Sequence, residues 1–130
     1  MSEPPSSELI SVLLISGTHD RAHYAFVIAA GAAALGRRVQ VFATNAGCHA
    51  LLTDWSGLVD SGRDAVLRAR GVGGLDELRD ACVELGVVLL ACDAGLRAEA
   101  IDPGRLLSGV TVSGVARFLS DAGQGQIISL

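Results

Sequence analysis

The chemistry this chain can offer is concentrated in three cysteines and three histidines. Cys92 stands where the apolar run Val87-Val88-Leu89-Leu90-Ala91 gives way to Asp93-Ala94-Gly95-Leu96-Arg97-Ala98-Glu99, which reads as a helix start. A thiol at such a junction faces the first helix amides, which lack intrahelical partners and stabilise a thiolate. The thiolate is the nucleophilic form, so this position can host sulfur chemistry. It equally suits a small buried hydrophobe, and position alone does not choose between the two. Asp93 reads as a first-turn acid with Arg97 as its partner four residues on, and its charge opposes a thiolate at Cys92.

The other reactive residues group by where they fall along the chain. In open parallel sheets, ligands bind beyond the carboxyl ends of the strands. That rule gathers Gly17, Thr18 and His19 after a first strand, Gly47, Cys48 and His49 after a second, and Cys92 with Asp93 after a third. The candidate catalytic set is therefore Cys92, Cys48, His19 and His49, with Gly17, Thr18, Gly47 and Asp93 as substrate contacts. Thr18 or Asp20 also suits a plain helix cap. His23, one helical turn beyond His19, reads as an ordinary surface or core histidine. Cys82 falls on the apolar face of its helix and belongs to the core.

Strands and helices must position these groups. Leu9–Ser16 reads as a first strand, apolar on both faces, followed by an Ala-rich helix over Arg21–Leu35 that Gly36 ends. Val39–Thr44 is a second strand, with a short helix opening at Cys48-His49. Leu75–Leu85 is an amphipathic helix with Leu75, Leu78, Cys82 and Leu85 on one face. The strand that delivers Cys92 follows. Val110-Thr111-Val112, a helix over Gly114–Asp121 and Gln126–Leu130 complete the pattern. Short turns between alternating elements predict an α/β fold: a three-layer α/β/α sandwich around a mostly parallel five-stranded sheet. Residues 1–8 read as a disordered tail and 9–130 as a single domain. Residues 53–74, rich in glycine around a possible helix at Arg63–Arg70, read as a flap or oligomer contact.

Bulk properties narrow the function. The 130 residues are 50% hydrophobic but only 4% aromatic, so Val, Leu, Ile and Ala build the core. A net charge of −4 argues against nucleic acid as the main partner. No apolar run reaches the length of a membrane span. The first residues lack the basic and apolar regions of a signal peptide, and three widely spaced cysteines make no disulfide framework. The expected compartment is the reducing cytoplasm. There is no G-x-G-x-x-G after the first strand, no phosphate loop and no C-x-x-C, so no cofactor and no metal is expected.

Four stretches carry a family resemblance. They are Leu14–Asp20 with the Ala/Gly-rich Ala29–Gly36, Val41-Phe42 with Gly47 and Leu51-Leu52, Leu85–Cys92, and Gly109–Leu119. In order and spacing the chain resembles the DsrE/DsrF-like family of sulfurtransferase-related proteins, notably a branch labelled peroxiredoxin-like. The resemblance implies a Rossmann-like α/β/α fold, assembled as a trimer or larger homo-oligomer. It also implies sulfur relay, in which the cysteine matching Cys92 accepts sulfane sulfur as a persulfide and passes it on, often to a TusA-like carrier. This chain departs from the branch at Gly95, where a Ser or Thr is common, at Asn45-Ala46, where aromatics are common, and in having Cys48 after Gly47. Two other classes compete. One is a zinc protein using Cys48, His49, Cys92 and His19, ligand types that suit zinc. The other is a non-catalytic oligomeric scaffold or small-ligand binder in which Cys92 is inert packing.

Overall fold

The structure, a computed structural model, describes residues 8–130; the expected tail lies, apart from Glu8, outside the described residues. Five strands, β1 (Leu9–Leu14), β2 (Arg38–Ala43), β3 (Val88–Cys92), β4 (Thr111–Ser113) and β5 (Ile127–Ser129), form one sheet in the order β4-β3-β2-β1-β5. Every pairing is parallel, with Val12 opposite Val41, Val41 opposite Leu89 and Ala91 opposite Val112. Between strands run α1 (His19–Ala34), α2 (Arg63–Ala69), α3 (Leu75–Glu84), α4 (Asp93–Ala98) and α5 (Val115–Ala122), with a 3-10 helix over Asn45–Leu51. Among the described residues no helix is long and apolar enough to cross a membrane.

The sheet's two faces are covered unequally. Val12, Leu14, Val41, Ala43, Leu89 and Ala91 point to one side, into the main core with Ala22, Ala25, Phe26 and Ala29 of α1 and Leu75 and Cys82 of α3. Small alanines let α1 lie close to the strands, so an almost aromatic-free sequence still packs a dense core. On the other side Phe42, Leu90 and Cys92 meet Phe118 of α5, with Leu13 alongside. Phe42 and Phe118 stack with ring centroids 4.8 Å apart. Gln40 is buried on this face, and its side-chain amide donates to Ser11 Oγ at 2.8 Å and to the Phe118 carbonyl at 3.2 Å. That pairing satisfies what would otherwise be a costly buried polar group.

The local departures from the sequence reading have physical causes. The first helix begins at His19, not Arg21, because the extended Thr18 takes the cap position. Thr18 makes no side-chain cap bond; its hydroxyl lies 2.9 Å from Ser16 Oγ. Helix α3 stops before Leu85, which is 46% exposed. The buried face of α3 instead includes Arg79, whose guanidinium donates to the carbonyls of Ala50 (3.1 Å) and Leu52 (2.5 Å). A charged residue fills a core position here because two chain carbonyls inside the fold need a donor.

The 53–74 segment folds back on the turn after β1. Val59 N–H donates to the Gly17 carbonyl at 2.8 Å, and His19 N–H donates to the Val59 carbonyl at 2.9 Å. Trp55 Nε1 donates to Asp76 at 2.8 Å, tying the strap to α3.

Candidate functional site

Cys92 is the last residue of β3 and the N-cap of α4; its backbone is extended and its sulfur accepts the Gly95 N–H at 3.3 Å. The expected amide donor is therefore present, although α4 is short. Cys92 retains 7% of its surface exposed, whereas Cys48 and Cys82 retain none. Asp93 turns outward and pairs with Arg97 at 3.3 Å, both well exposed.

Gly95 has a steric reason to be glycine. A Cβ there would lie 2.5 Å from the Asn45 amide nitrogen and 2.7 Å from Thr44 Oγ1. The start of the 3-10 helix presses against α4 at this point, and the Thr44 hydroxyl fills the space that a residue 95 side chain would need. Gly47 is equally constrained, because its Cβ would overlap the Leu14 carbonyl. The turn after β2 is thus seated tightly between the ends of β1 and α4.

That seating brings Cys48 beside Cys92. Burial pushes the Cys48 thiol up to about 11; a charge on Cys92 would raise it further, while the Cys92 N–H, directed at the Cys48 sulfur, works the other way. Cys48 Sγ also donates weakly to the Ala43 carbonyl at 3.6 Å. His49, the next residue, has Nε2 3.7 Å from Glu99 Oε1, just past the end of α4. Glu99 also faces Cys48 and contributes to the raised thiol. The Gly57 backbone packs on the His49 ring, since a Cβ at Gly57 would come 2.7 Å from Nδ1.

His19 does not join this group. It is fully buried, and its Nε2 lies 2.8 Å from Asp64 Oδ1. Its ring stacks on His23 at 5.6 Å and tilts against Trp55 at 5.8 Å. Asp64 also accepts the Leu75 N–H at 2.8 Å and lies 3.3 Å from Arg68. Burial alone would raise the Asp64 carboxyl, but the hydrogen bonds from His19 and Leu75 and the nearby cations outweigh it and hold the carboxyl below its ordinary value. His23, read as an ordinary histidine, bonds the Gly73 carbonyl through Nε2 at 2.8 Å. These are bolts between α1 and the strap.

The sequence grouping therefore divides into two. Cys48 comes beside Cys92, Gly47 and His49 lie on the same turn with His49 directed to Glu99, and Asp93 turns away to Arg97, while His19, Gly17 and Thr18 anchor the strap at the end of β1. Among the described residues no group of three or more His, Cys, Asp or Glu is arranged to hold a metal ion, and His19, needed for the zinc set, is engaged by Asp64. Cys82 is a core residue as expected, donating to the Phe26 carbonyl at 3.8 Å. Glu99 and Asp64 were not among the residues singled out. Glu99 falls seven residues after Cys92, two helical turns on the same face, a spacing that carries the signal. Nothing local marks Asp64 as the partner of a residue 45 positions earlier.

Fold and site together define a small all-parallel α/β protein whose third strand ends in a cysteine that caps the next helix. The model of the DsrE/DsrF/DrsH-like family matches residues 6–62. Across 91% of this chain and 94% of its own length, the sulfur carrier protein DsrE2 of Allochromatium vinosum is 25% identical. The Bacillus subtilis protein YrkE is 26% identical over 90% of this chain and 92% of its own length. Among solved structures, MTH1491 from Methanobacterium thermoautotrophicum superposes with a TM-score of 0.64 at 22% identity, covering 95% of this chain and all of its own. YchN from E. coli gives 0.62 at 10% identity, covering 95% of this chain and 99% of its own. In sequence and in fold the chain is similar to the DsrE/DsrF-like proteins.

Proposed function

We propose that this protein is a sulfur carrier or sulfurtransferase that holds sulfane sulfur as a persulfide on Cys92. The observation that carries the reading is the placement of the Cys92 sulfur on the Gly95 N–H at the cap of α4, the one cysteine of the three with exposed surface. Its likeness over nearly the whole chain to a protein named a sulfur carrier supports the same reading.

In the first step the Cys92 thiolate attacks the outer sulfur of a donor persulfide. A new S–S bond forms on Cys92, the donor's S–S bond breaks, and the donor leaves as a thiolate. In the second step an acceptor thiolate attacks that outer sulfur, takes it, and returns Cys92 as thiolate. The sulfane sulfur moves intact, so no external oxidant or reductant is consumed. The Gly95 amide steadies the anionic sulfur in both states. His49, held near Glu99, supplies or removes the proton of the incoming thiol. Cys48, protonated and sealed, stays out of the first transfer and serves as a second acceptor only when it comes within bonding reach.

Partners follow from the same surface. Val115 and Leu119 of α5, the helix that covers the face carrying Cys92, each remain 54% exposed. Further copies of the chain cover this apolar ground in a homo-oligomer of three or more subunits, and a TusA-like carrier takes the sulfur from Cys92. Sulfur loading is tested by intact-mass spectrometry after polysulfide or thiosulfate treatment. The expected result is a gain of one sulfur atom in the native protein and none in Cys92→Ser; retention of that gain in the variant ends the proposal.

A further inference from the structure

One recess in the fold lies far from Cys92. It is a cavity of about 380 Å³ at the amino end of the sheet. Its size is in the range of small-molecule sites. Val87 and Val88 line it, so it sits at the opposite end of β3 from the thiol, about 13 Å along the strand.

Its lining is distinctive for an acidic chain. The protein has no lysine, and three of its ten cationic residues, Arg37, Arg38 and Arg117, border this one recess. Arg37 Nε is buried with no hydrogen-bond partner among the described residues. Arg117 Nε lies 3.4 Å from Asp121, a half-exposed pair that yields readily to a competing anion. Between the guanidinium groups the walls are apolar, formed by Ala33, Leu85 and Val88 among others, and the last two are nearly half exposed. The helices α1 and α3 both end here, and their carbonyl ends explain one cation nearby but not an apolar slot between several.

We propose that this cavity binds a small organic anion, a carboxylate or phosphate bearing a short apolar chain. The head group pairs with Arg37 and Arg117, and the chain lies against Ala33, Leu85 and Val88. Asp121 competes with the ligand for Arg117. The site is independent of Cys92, so its failure leaves the sulfur-carrier reading untouched.

The test is amide NMR titration of the full-length protein with hexyl phosphate, hexanoate, hexanol and inorganic phosphate. The expected result is saturable shifts at Gly86, Val87 and Val88 with hexyl phosphate or hexanoate, and binding at least tenfold weaker for hexanol and inorganic phosphate. Which of the two chain-bearing anions binds more tightly distinguishes a phosphate ligand from a carboxylate. Arg117→Gln, an exposed change that leaves the core intact, weakens binding about tenfold; Arg37→Gln does the same, and Asp121→Asn strengthens it. Cys92→Ser leaves it unchanged. Shifts absent from these amides, equal binding by the arginine variants, or inorganic phosphate binding as tightly as hexyl phosphate each overturn the proposal.

Discussion

Selective alkylation tests the division of labour between the cysteines. Only the thiolate reacts with iodoacetamide, so rate follows thiolate fraction and access. Burial pushes both Cys48 and Cys82 from an ordinary 9.0 up to about 11. At pH 8 an ordinary thiol is roughly one-tenth ionised and one at 11 roughly one-thousandth, a deficit of about 100-fold before access is counted. Both are also wholly covered, whereas Cys92 keeps 7% of its surface. Stopped reactions at pH 8, mapped by peptide mass, are expected to label Cys92 first, with Cys48 and Cys82 at least about 100-fold slower than free cysteine. Raising the pH should speed labelling of Cys48 about tenfold per pH unit until it approaches 11. Cys48→Ala should leave the Cys92 rate within about twofold. Labelling of Cys48 as fast as Cys92 in the folded protein, or a Cys92 that reacts only after urea is added, refutes the reasoning and with it the role given to Cys92.

Further outcomes follow from the packing. Asp64→Ala strands two buried donors, His19 Nε2 and Leu75 N–H, and should cost about 2–6 kcal/mol in urea unfolding; Asp64→Asn, which keeps an acceptor, should cost less, and a loss under about 1 kcal/mol for the alanine refutes the bolt. Because the Asp64 carboxyl is held low, its contribution is complete above the unfolded carboxylate range and is lost as the pH falls through its folded value, a slope that Asp64→Asn should flatten in acid-titrated stability curves. The two raised thiols act at the other end of the scale: stability is full below about pH 9 and falls as the pH rises through about 11, by up to about 3 kcal/mol per thiol, and Cys82→Ala should remove part of that fall. Gly95→Ser should push α4 away from the Asn45 turn, lowering the melting temperature and slowing sulfur loading together; a variant loaded at the native rate would show that the close contact is dispensable.

The fold was legible because its signals are local. Apolar runs bounded by Gly36, Gly86 and turn residues give all five strands, and Cys92 falls at the tip of the third as its flanking residues indicate. The ends of elements were less legible. An extended Thr18 and a 3-10 turn at Asn45 are set by close contacts with Val59, Leu14 and Gly95 that no window of sequence contains. The site divided for the same reason. His19 and His49 look alike as residues following strands, yet one is captured by Asp64, 45 positions later, and the other by Glu99. Arg79 shows the limit of periodicity: its position on the helix face is plain, but the two carbonyls that make a core arginine tolerable come from another part of the chain.

The strand order has a consequence for how the molecule is made. Both outer strands, β4 and β5, come from the last twenty residues, and α5 crosses a whole face of the sheet to join one border to the other. A nascent chain can assemble β1, β2 and β3 with α1 and α3 before residues 111–130 emerge, but it then carries two unpaired edges and an uncovered Phe42. The final segment works like a buckle fastened last. Truncating even a short stretch at the carboxyl end would therefore leave a species prone to pair edge to edge with its neighbours while its principal core remains intact.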